Sequence, residues 1–169
     1  MKIHPEFIQC HNGLKNFNYN LAVEWAIDLI RNGVETKNIL MLASFSKPID
    51  SYQIKPYVSA VLRDFNLVEK NGDEAVFALI HFYLTEILQH ISIRRFLNSL
   101  YELYMEKDSF PFSKGHKFRL QPFYLLYHGW NDLDENGSNY HFEDANLDNI
   151  EEVIKEQARI WIAEQSKVE

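Results

Sequence analysis

The clearest chemical pattern in this chain is an acidic stretch of twelve residues, 132–143, which reads DLDENGSNYHFE. Oxygen donors stand at alternate positions and an acid closes the stretch, which is the spacing that surrounds a hard divalent cation with oxygen ligands. Gly137 would permit the sharp turn that such a loop needs. With calcium as the cation, the candidate metal ligands are Asp132, Asp134, Asn136, the backbone carbonyl of Ser138, and Glu143.

The stretch resembles the calcium loop of the EF-hand family, and the resemblance covers these twelve residues only. It implies a helix–loop–helix unit in which segment 118–130 and the last helix flank the ion. Two positions depart from the family pattern, because Asn139 replaces an aliphatic residue and Tyr140 replaces a small, oxygen-rich one. The alternative interpretation is a solvated loop in which Asp, Asn and Gly residues serve turn formation.

The histidines and the single cysteine lack the spacing of a catalytic or metal site. His81 and His90 fall on opposite faces of a helix, and His90 shares a face with Glu86 in the manner of a surface pair. Cys10 and His11 are neighbours whose side chains diverge, so a structural role is expected for both.

The sequence contains no HExxH, phosphate-loop, dinucleotide-binding or nucleophile-elbow motif. An enzyme built on this chain would therefore need groups that converge only after folding. Such a site would combine a distant carboxylate with one of His81, His116 and His128.

The net charge of −7 is concentrated near the C-terminus. Residues 1–120 carry 14 Lys or Arg and 13 Asp or Glu, whereas residues 121–169 carry 3 and 11. From Asn131 to Glu152 there are eight acids and no Lys or Arg. A surface of this sign repels phosphate backbones, so nucleic-acid binding is not expected, and it favours a cation or a basic protein surface.

Apolar residues recur at helical spacing along most of the chain. The pattern predicts helices at about 21–30, 36–45, 51–65, 73–88, 92–104 and 148–164, while 118–130 fits a short helix or an extended segment. We therefore expect an all-α fold, with residues 1–169 forming a single-domain bundle of six to seven helices and a long acidic loop before the last helix. Stacked helical hairpins are the variant that the tight Asn-Gly turns favour.

The cellular setting follows from what the sequence lacks. A single cysteine, Cys10, excludes an intramolecular disulfide. The N-terminus has no apolar stretch of the signal-peptide kind, and no run of eighteen apolar residues predicts a membrane span. These features predict a cytoplasmic protein without a membrane partner.

Residues 18–66 carry a further resemblance. The pattern is similar to that of small all-helical bacterial proteins of uncharacterised function, and its residues are Ala22, Trp25, Ala26, Gly33, then Leu42-Ala43 and a third helix ending at Phe65. Some chains of that kind are immunity-type partners of secreted toxins. The resemblance implies a protein partner and transfers no catalytic residue.

The preferred interpretation is a non-enzymatic, immunity- or adaptor-type bacterial protein without a cofactor, which binds a basic protein surface through its acidic C-terminal region. The alternatives are a calcium-binding module with the lone loop described above and an enzyme with the non-contiguous histidine site. The candidate partner-binding residues are Trp130, Asp132, Asp134, Glu135, Glu143 and Asp144.

Overall fold

The structure is a computed structural model that describes residues 3–89, 92–107, 117–142 and 144–165. Within these residues it contains eight α-helices and no β-strand, so the predicted all-α class is confirmed. The helices are α1 (Pro5–Gln9), α2 (Asn20–Arg31), α3 (Lys37–Ala43), α4 (Ser51–Asp64), α5 (Gly72–Leu88), α6 (Ile93–Lys107), α7 (Gln121–Asn136) and α8 (Ile150–Gln165).

The predicted count of six to seven helices was too low. Helix α1 has only five residues and begins at Pro5, and so short a helix cannot show apolar periodicity. The ambiguous segment 118–130 contains the start of a helix, α7, which continues six residues beyond Trp130. The acidic stretch is therefore partly helical, and the loop before α8 is shorter than the sequence suggested.

Local signals explain where the helices of the N-terminal half begin and end. Asn32 is the C-cap of α2, and Gly33 follows with a φ of 79°, which a residue without Cβ adopts at little cost.

The Thr36 hydroxyl accepts a hydrogen bond from the Ile39 N–H at 3.2 Å and caps α3. The Asp50 carboxylate accepts from the Tyr52 N–H at 2.8 Å and caps α4. Pro56 lies inside α4 and does not delay its start.

The chain divides into two compact units, residues 1–79 and 80–169, and the division falls within α5. In the first unit α2 packs against α3, α3 packs against α4, and α1 contacts α2 and α4. Buried side chains from these four helices form its core, including Ile8, Trp25, Leu42 and Val58. The single-domain organisation stays a prediction.

In the second unit α6 packs against α7, and α7 packs against α8. The buried side chains include Leu100 of α6, Phe123 of α7 and Ile154 of α8. The indole N–H of the buried Trp161 donates to the Phe118 carbonyl at 2.9 Å, so α8 is tied to the segment that leads into α7. The acidic residues lie at the other ends of these two helices and in the loop that joins them.

Candidate functional site

One guanidinium on α6 organises the last turns of α7. Arg94 Nη1 lies 2.5 Å from Asp134 Oδ2, and Nη2 donates to Asn131 Oδ1 at 2.9 Å. The same guanidinium stands 5.1 Å from the centroid of the Trp130 ring. A planar guanidinium can make all three contacts together. Two of the candidate partner-binding residues, Trp130 and Asp134, are therefore engaged by the chain itself.

The loop that follows α7 is built around the side chain of Asn139. Its Oδ1 accepts hydrogen bonds from the His141 N–H at 3.0 Å and the Phe142 N–H at 2.8 Å, and its Nδ2 donates to the Ala145 carbonyl at 2.9 Å. A Cβ added at Gly129 of α7 would stand 3.6 Å from this amide, so the loop packs closely on the helix. The asparagine thus fixes the course of the backbone on both sides of Tyr140.

Two further asparagines form the start of α8. Asn146 Oδ1 accepts from the N–H groups of Asp148 and Asn149 at 2.9 and 3.2 Å, and Asn149 Oδ1 accepts from the Asn146 N–H at 2.8 Å. Asn149 Nδ2 donates to the Asp144 carbonyl at 2.8 Å. These side chains satisfy backbone groups of the turn that immediately precedes α8.

The carboxylates of this region divide into two groups. Asp134 is paired with Arg94, and Glu152 lies 2.6 Å from the Nζ of Lys155. The others form no ion pair with any residue that the structure describes. We call this second group the acidic surface, and its members are Asp132, Glu135, Asp144, Asp148 and Glu151.

The loop that carries Asp144 and Asp148 also carries two exposed apolar side chains. Tyr140 is 84% exposed and Leu147 is 55% exposed, and both stand in the loop that joins α7 to α8. Sequence reasoning did not nominate Leu147, Asp148 or Glu151. Apolar periodicity could not show that side chains of this loop are exposed, because the residues of a loop do not form a repeating face.

The candidate calcium ligands fall partly on a helix. Asp132, Asp134 and Asn136 belong to the last turns of α7, where Gly137 is the C-cap with a φ of 70°. At about 100° per residue, the side chain of Asp134 points about 200° away from that of Asp132, and it is held by Arg94. Ser138 is exposed in the loop, and Glu143 lies outside the described residues.

Within the described ranges, no group of three or more His, Cys, Asp or Glu side chains is arranged to hold a metal ion. The calcium assignment therefore stays a prediction, and it requires the end of α7 to change conformation. Turn formation, the alternative role considered for Asp, Asn and Gly residues here, is what Asn139, Asn146 and Asn149 perform.

An aromatic cluster joins α6 to α7. Tyr101 stacks on Tyr127 with ring centroids 4.2 Å apart, and Tyr104 lies 4.7 Å from Tyr124. His128 meets the Tyr124 ring edge-on at 4.6 Å. All five side chains are half-buried, so the cluster stabilises the packing of the two helices. Tyrosines three residues apart on each helix were the signal that sequence reasoning missed.

The three histidines considered for an enzyme site are in different settings. His128 belongs to the tyrosine cluster, and His81 is exposed on α5. His116 lies outside the described residues, as does His90, the predicted surface partner of Glu86.

Cys10 and His11 are both buried, and each bonds to a different carbonyl of α1. The Cys10 thiol donates to the Glu6 carbonyl at 3.3 Å, and His11 Nδ1 lies 2.9 Å from the Ile8 carbonyl. Burial raises the pKa of Cys10 to about 11 and lowers the pKa of His11. A neutral thiol and a neutral imidazole directed at separate carbonyls do not form a nucleophile–base pair.

Among the described residues, no helix combines the length and the apolar character needed to cross a lipid bilayer. Comparison with protein-family models, with curated proteins and with solved structures gives no significant match to this chain. The candidate function therefore rests on the geometry of the chain itself.

Proposed function

We propose that this chain is a non-enzymatic binding protein whose acidic surface docks on a basic surface of another protein. One observation carries the proposal: five carboxylates without ion pairs among the described residues lie in the same stretch of chain, 132–151, as the exposed side chains of Tyr140 and Leu147. Apolar anchors within a charged rim are the usual composition of a protein interface.

The order of the loop supports this proposal. Asn139, Asn146 and Asn149 fix the backbone that carries Tyr140, Asp144 and Leu147, so binding would cost little conformational entropy. The uniform sign of the carboxylates would steer a basic partner and raise the association rate. Trp130 and Asp134 act as support for this surface, since Arg94 already engages both.

The remaining elements of the proposal rest on the sequence. The resemblance over residues 18–66 favours an immunity- or adaptor-type protein of bacteria, and a single cysteine favours the reducing cytoplasm. We further propose that helices which pack on their neighbours in chain order form stacked hairpins within each unit, α2 on α3 and α3 on α4 in the first, and α6 on α7 and α7 on α8 in the second.

A matched pair of triple variants tests the acidic surface. The surface variant is Glu135→Lys/Asp144→Lys/Asp148→Lys, and the control is Glu6→Lys/Glu24→Lys/Glu35→Lys, which changes the net charge equally at exposed positions of the first unit. Each protein is immobilised and exposed to lysate of the source organism, and the retained proteins are quantified by mass spectrometry at low and high salt.

We expect wild type and control to retain the same basic protein, and the surface variant to retain at least about tenfold less, because reversed charges repel the partner. Retention by wild type should decrease as the salt concentration rises above about 0.15 M, where the Debye length is about 8 Å. Equal retention by the two triple variants would show that the acidic surface is not the docking site.

A further inference from the structure

The first unit contains an open cleft of about 770 Å³, separate from the acidic surface. Trp25 and Phe65 form an aromatic wall, with ring centroids 5.9 Å apart and planes inclined by 43°. Ile3, Leu29 and Leu67 complete the apolar lining. The volume lies within the range of about 300–1,000 Å³ that is typical of small-molecule sites.

The cleft is supported by a rigid framework. Trp25 is 4% exposed and belongs to the core of the unit, whereas Phe65 is 37% exposed and presents its ring to the opening. The indole N–H of Trp25 makes no hydrogen bond to any residue that the structure describes, in contrast to that of Trp161.

The polar rim of the cleft presents oxygen atoms. Asn32 Nδ2 donates to the Asp28 backbone carbonyl at 2.6 Å, so the amide of Asn32 leaves its oxygen for a ligand. The Asp28 carboxylate is 41% exposed, and its only ion pair among the described residues is with Arg31 at 3.2 Å. An adjoining recess of about 330 Å³ is lined by Glu24 and again by Asp28 and Arg31.

Arg31 is a weak competitor for the Asp28 carboxylate. Its side chain is 74% exposed, and solvent-exposed pairs of this type contribute little because water screens the attraction and both side chains lose freedom. A cation that also buried an apolar body in the cleft would displace it.

We propose that this cleft binds a small organic cation, an amine or ammonium attached to an apolar or aromatic body. The ammonium would lie between the Asp28 carboxylate and the Asn32 amide oxygen, and the body would pack on Trp25 and Phe65. Aromatic faces attract ammonium groups, and carboxylate and amide oxygens accept their hydrogen bonds. This site goes beyond the proposed docking function and does not depend on it.

Three isosteric probes separate charge recognition from apolar burial: 4-phenylbutylamine, 4-phenylbutanol and 4-phenylbutyrate. Binding is measured by calorimetry, and the site by two-dimensional NMR of the indole N–H groups, with the Trp25 signal assigned through Trp25→Phe. We expect the amine to bind about tenfold more tightly than the alcohol, the carboxylate to bind most weakly, and the Trp25 signal to shift most. Equal affinities for amine and alcohol, or no binding by any probe, would overturn the proposal.

Two substitutions should change amine affinity in opposite directions. Asp28→Asn removes the carboxylate and should weaken amine binding about five- to tenfold while leaving alcohol binding unchanged. Arg31→Gln removes the competing cation and should strengthen amine binding about two- to fivefold. Glu35→Gln makes a matched charge change at an exposed residue outside the lining and should have no effect.

The Arg31→Gln result remains informative even if Asp28→Asn proves unstable, because Arg31 lies on the surface. Unchanged or weaker amine binding in Arg31→Gln would contradict the assignment of the carboxylate. Binding to the acidic surface is a separate measurement, so failure of either proposal leaves the other intact.

Discussion

His11 is a buried imidazole whose hydrogen bonding is incomplete. Nδ1 donates to the Ile8 carbonyl, and Nε2 has no hydrogen-bond partner among the described residues, so the ring is the neutral Nδ1–H tautomer. Phe17 and Tyr19 meet it edge-on at 5.9 and 6.2 Å. A second N–H would stay buried without a hydrogen bond to an oxygen of the described residues, which makes protonation unfavourable in the folded chain.

We expect this residue to make the free energy of unfolding depend on pH. Burial lowers the pKa of His11, and Lys55 lowers it further, while the Ile8 carbonyl and Glu69 act in the opposite direction. Below about pH 6.5 the unfolded chain takes up a proton that the folded chain does not, so stability is lost as the pH falls. One such group contributes a slope of at most about 1.4 kcal/mol per pH unit.

Urea denaturation of wild type, His11→Asn and His81→Asn between pH 5 and 7.5 measures this slope. Asparagine at position 11 keeps a donor for the Ile8 carbonyl but does not titrate, so the slope should become shallower despite a lower overall stability. His81 is exposed, and its replacement should leave the slope unchanged. Identical slopes in wild type and His11→Asn would contradict the prediction.

At the scale of the element, the end of α7 limits what the acidic stretch can bind. A calcium ion coordinated by Asp132, Asp134 and Asn136 would require the last turn of α7 to unwind and Asp134 to leave Arg94. Both changes oppose binding, so we expect a dissociation constant no tighter than about millimolar, at the weak end of protein calcium sites.

Calorimetric titration with calcium, accompanied by circular dichroism at 222 nm, tests this expectation. Arg94→Gln should strengthen calcium binding, because Asp134 becomes free, and Glu143→Gln should weaken it. Calcium binding should reduce the helical signal in the circular dichroism, because the last turn of α7 would unwind. Micromolar affinity with no change in helicity would contradict the helical placement of the ligands.

The helices could be predicted where the signal lies within the helix itself. They could not be predicted where a helix depends on contacts with distant segments of the chain. The helix predicted at about 21–30, which corresponds to α2, depends on apolar residues spaced within a few turns of one another. The last turns of α7 are contacted by Arg94, which is about forty residues away. A sequence dense in Asp, Asn and Gly indicates turns, and the packing of α7 against α6 and α8 overrides that preference.

The candidate site shows the same limit. Sequence alone located the excess of acids at 131–152, because charge can be counted. It could not separate Asp134 and Glu152, which are paired, from Glu135 and Asp144, which are not. The cleft could not be predicted from the sequence either, because Trp25 and Phe65 belong to different helical segments and meet only after folding.

At the scale of the whole molecule, the acidic surface should lower the stability of the free protein. Its carboxylates repel one another without compensating cations among the described residues, whereas charges are nearly balanced over residues 1–120. Binding surfaces commonly lower the stability of the free protein, because the side chains that complement a partner are not those that best stabilise the isolated chain.

The surface variant Glu135→Lys/Asp144→Lys/Asp148→Lys should therefore unfold at a higher temperature than wild type in low salt, by a few degrees. The difference should shrink at about 0.5 M salt, where the Debye length is shorter than the spacing of most surface charges. The control Glu6→Lys/Glu24→Lys/Glu35→Lys should show no comparable gain, because it changes a region that is already balanced. Calorimetric scans of the three proteins at two salt concentrations measure these unfolding temperatures. A surface variant that is less stable than wild type at low salt would show that these carboxylates stabilise the fold, and a structural role would then explain them better than a partner does.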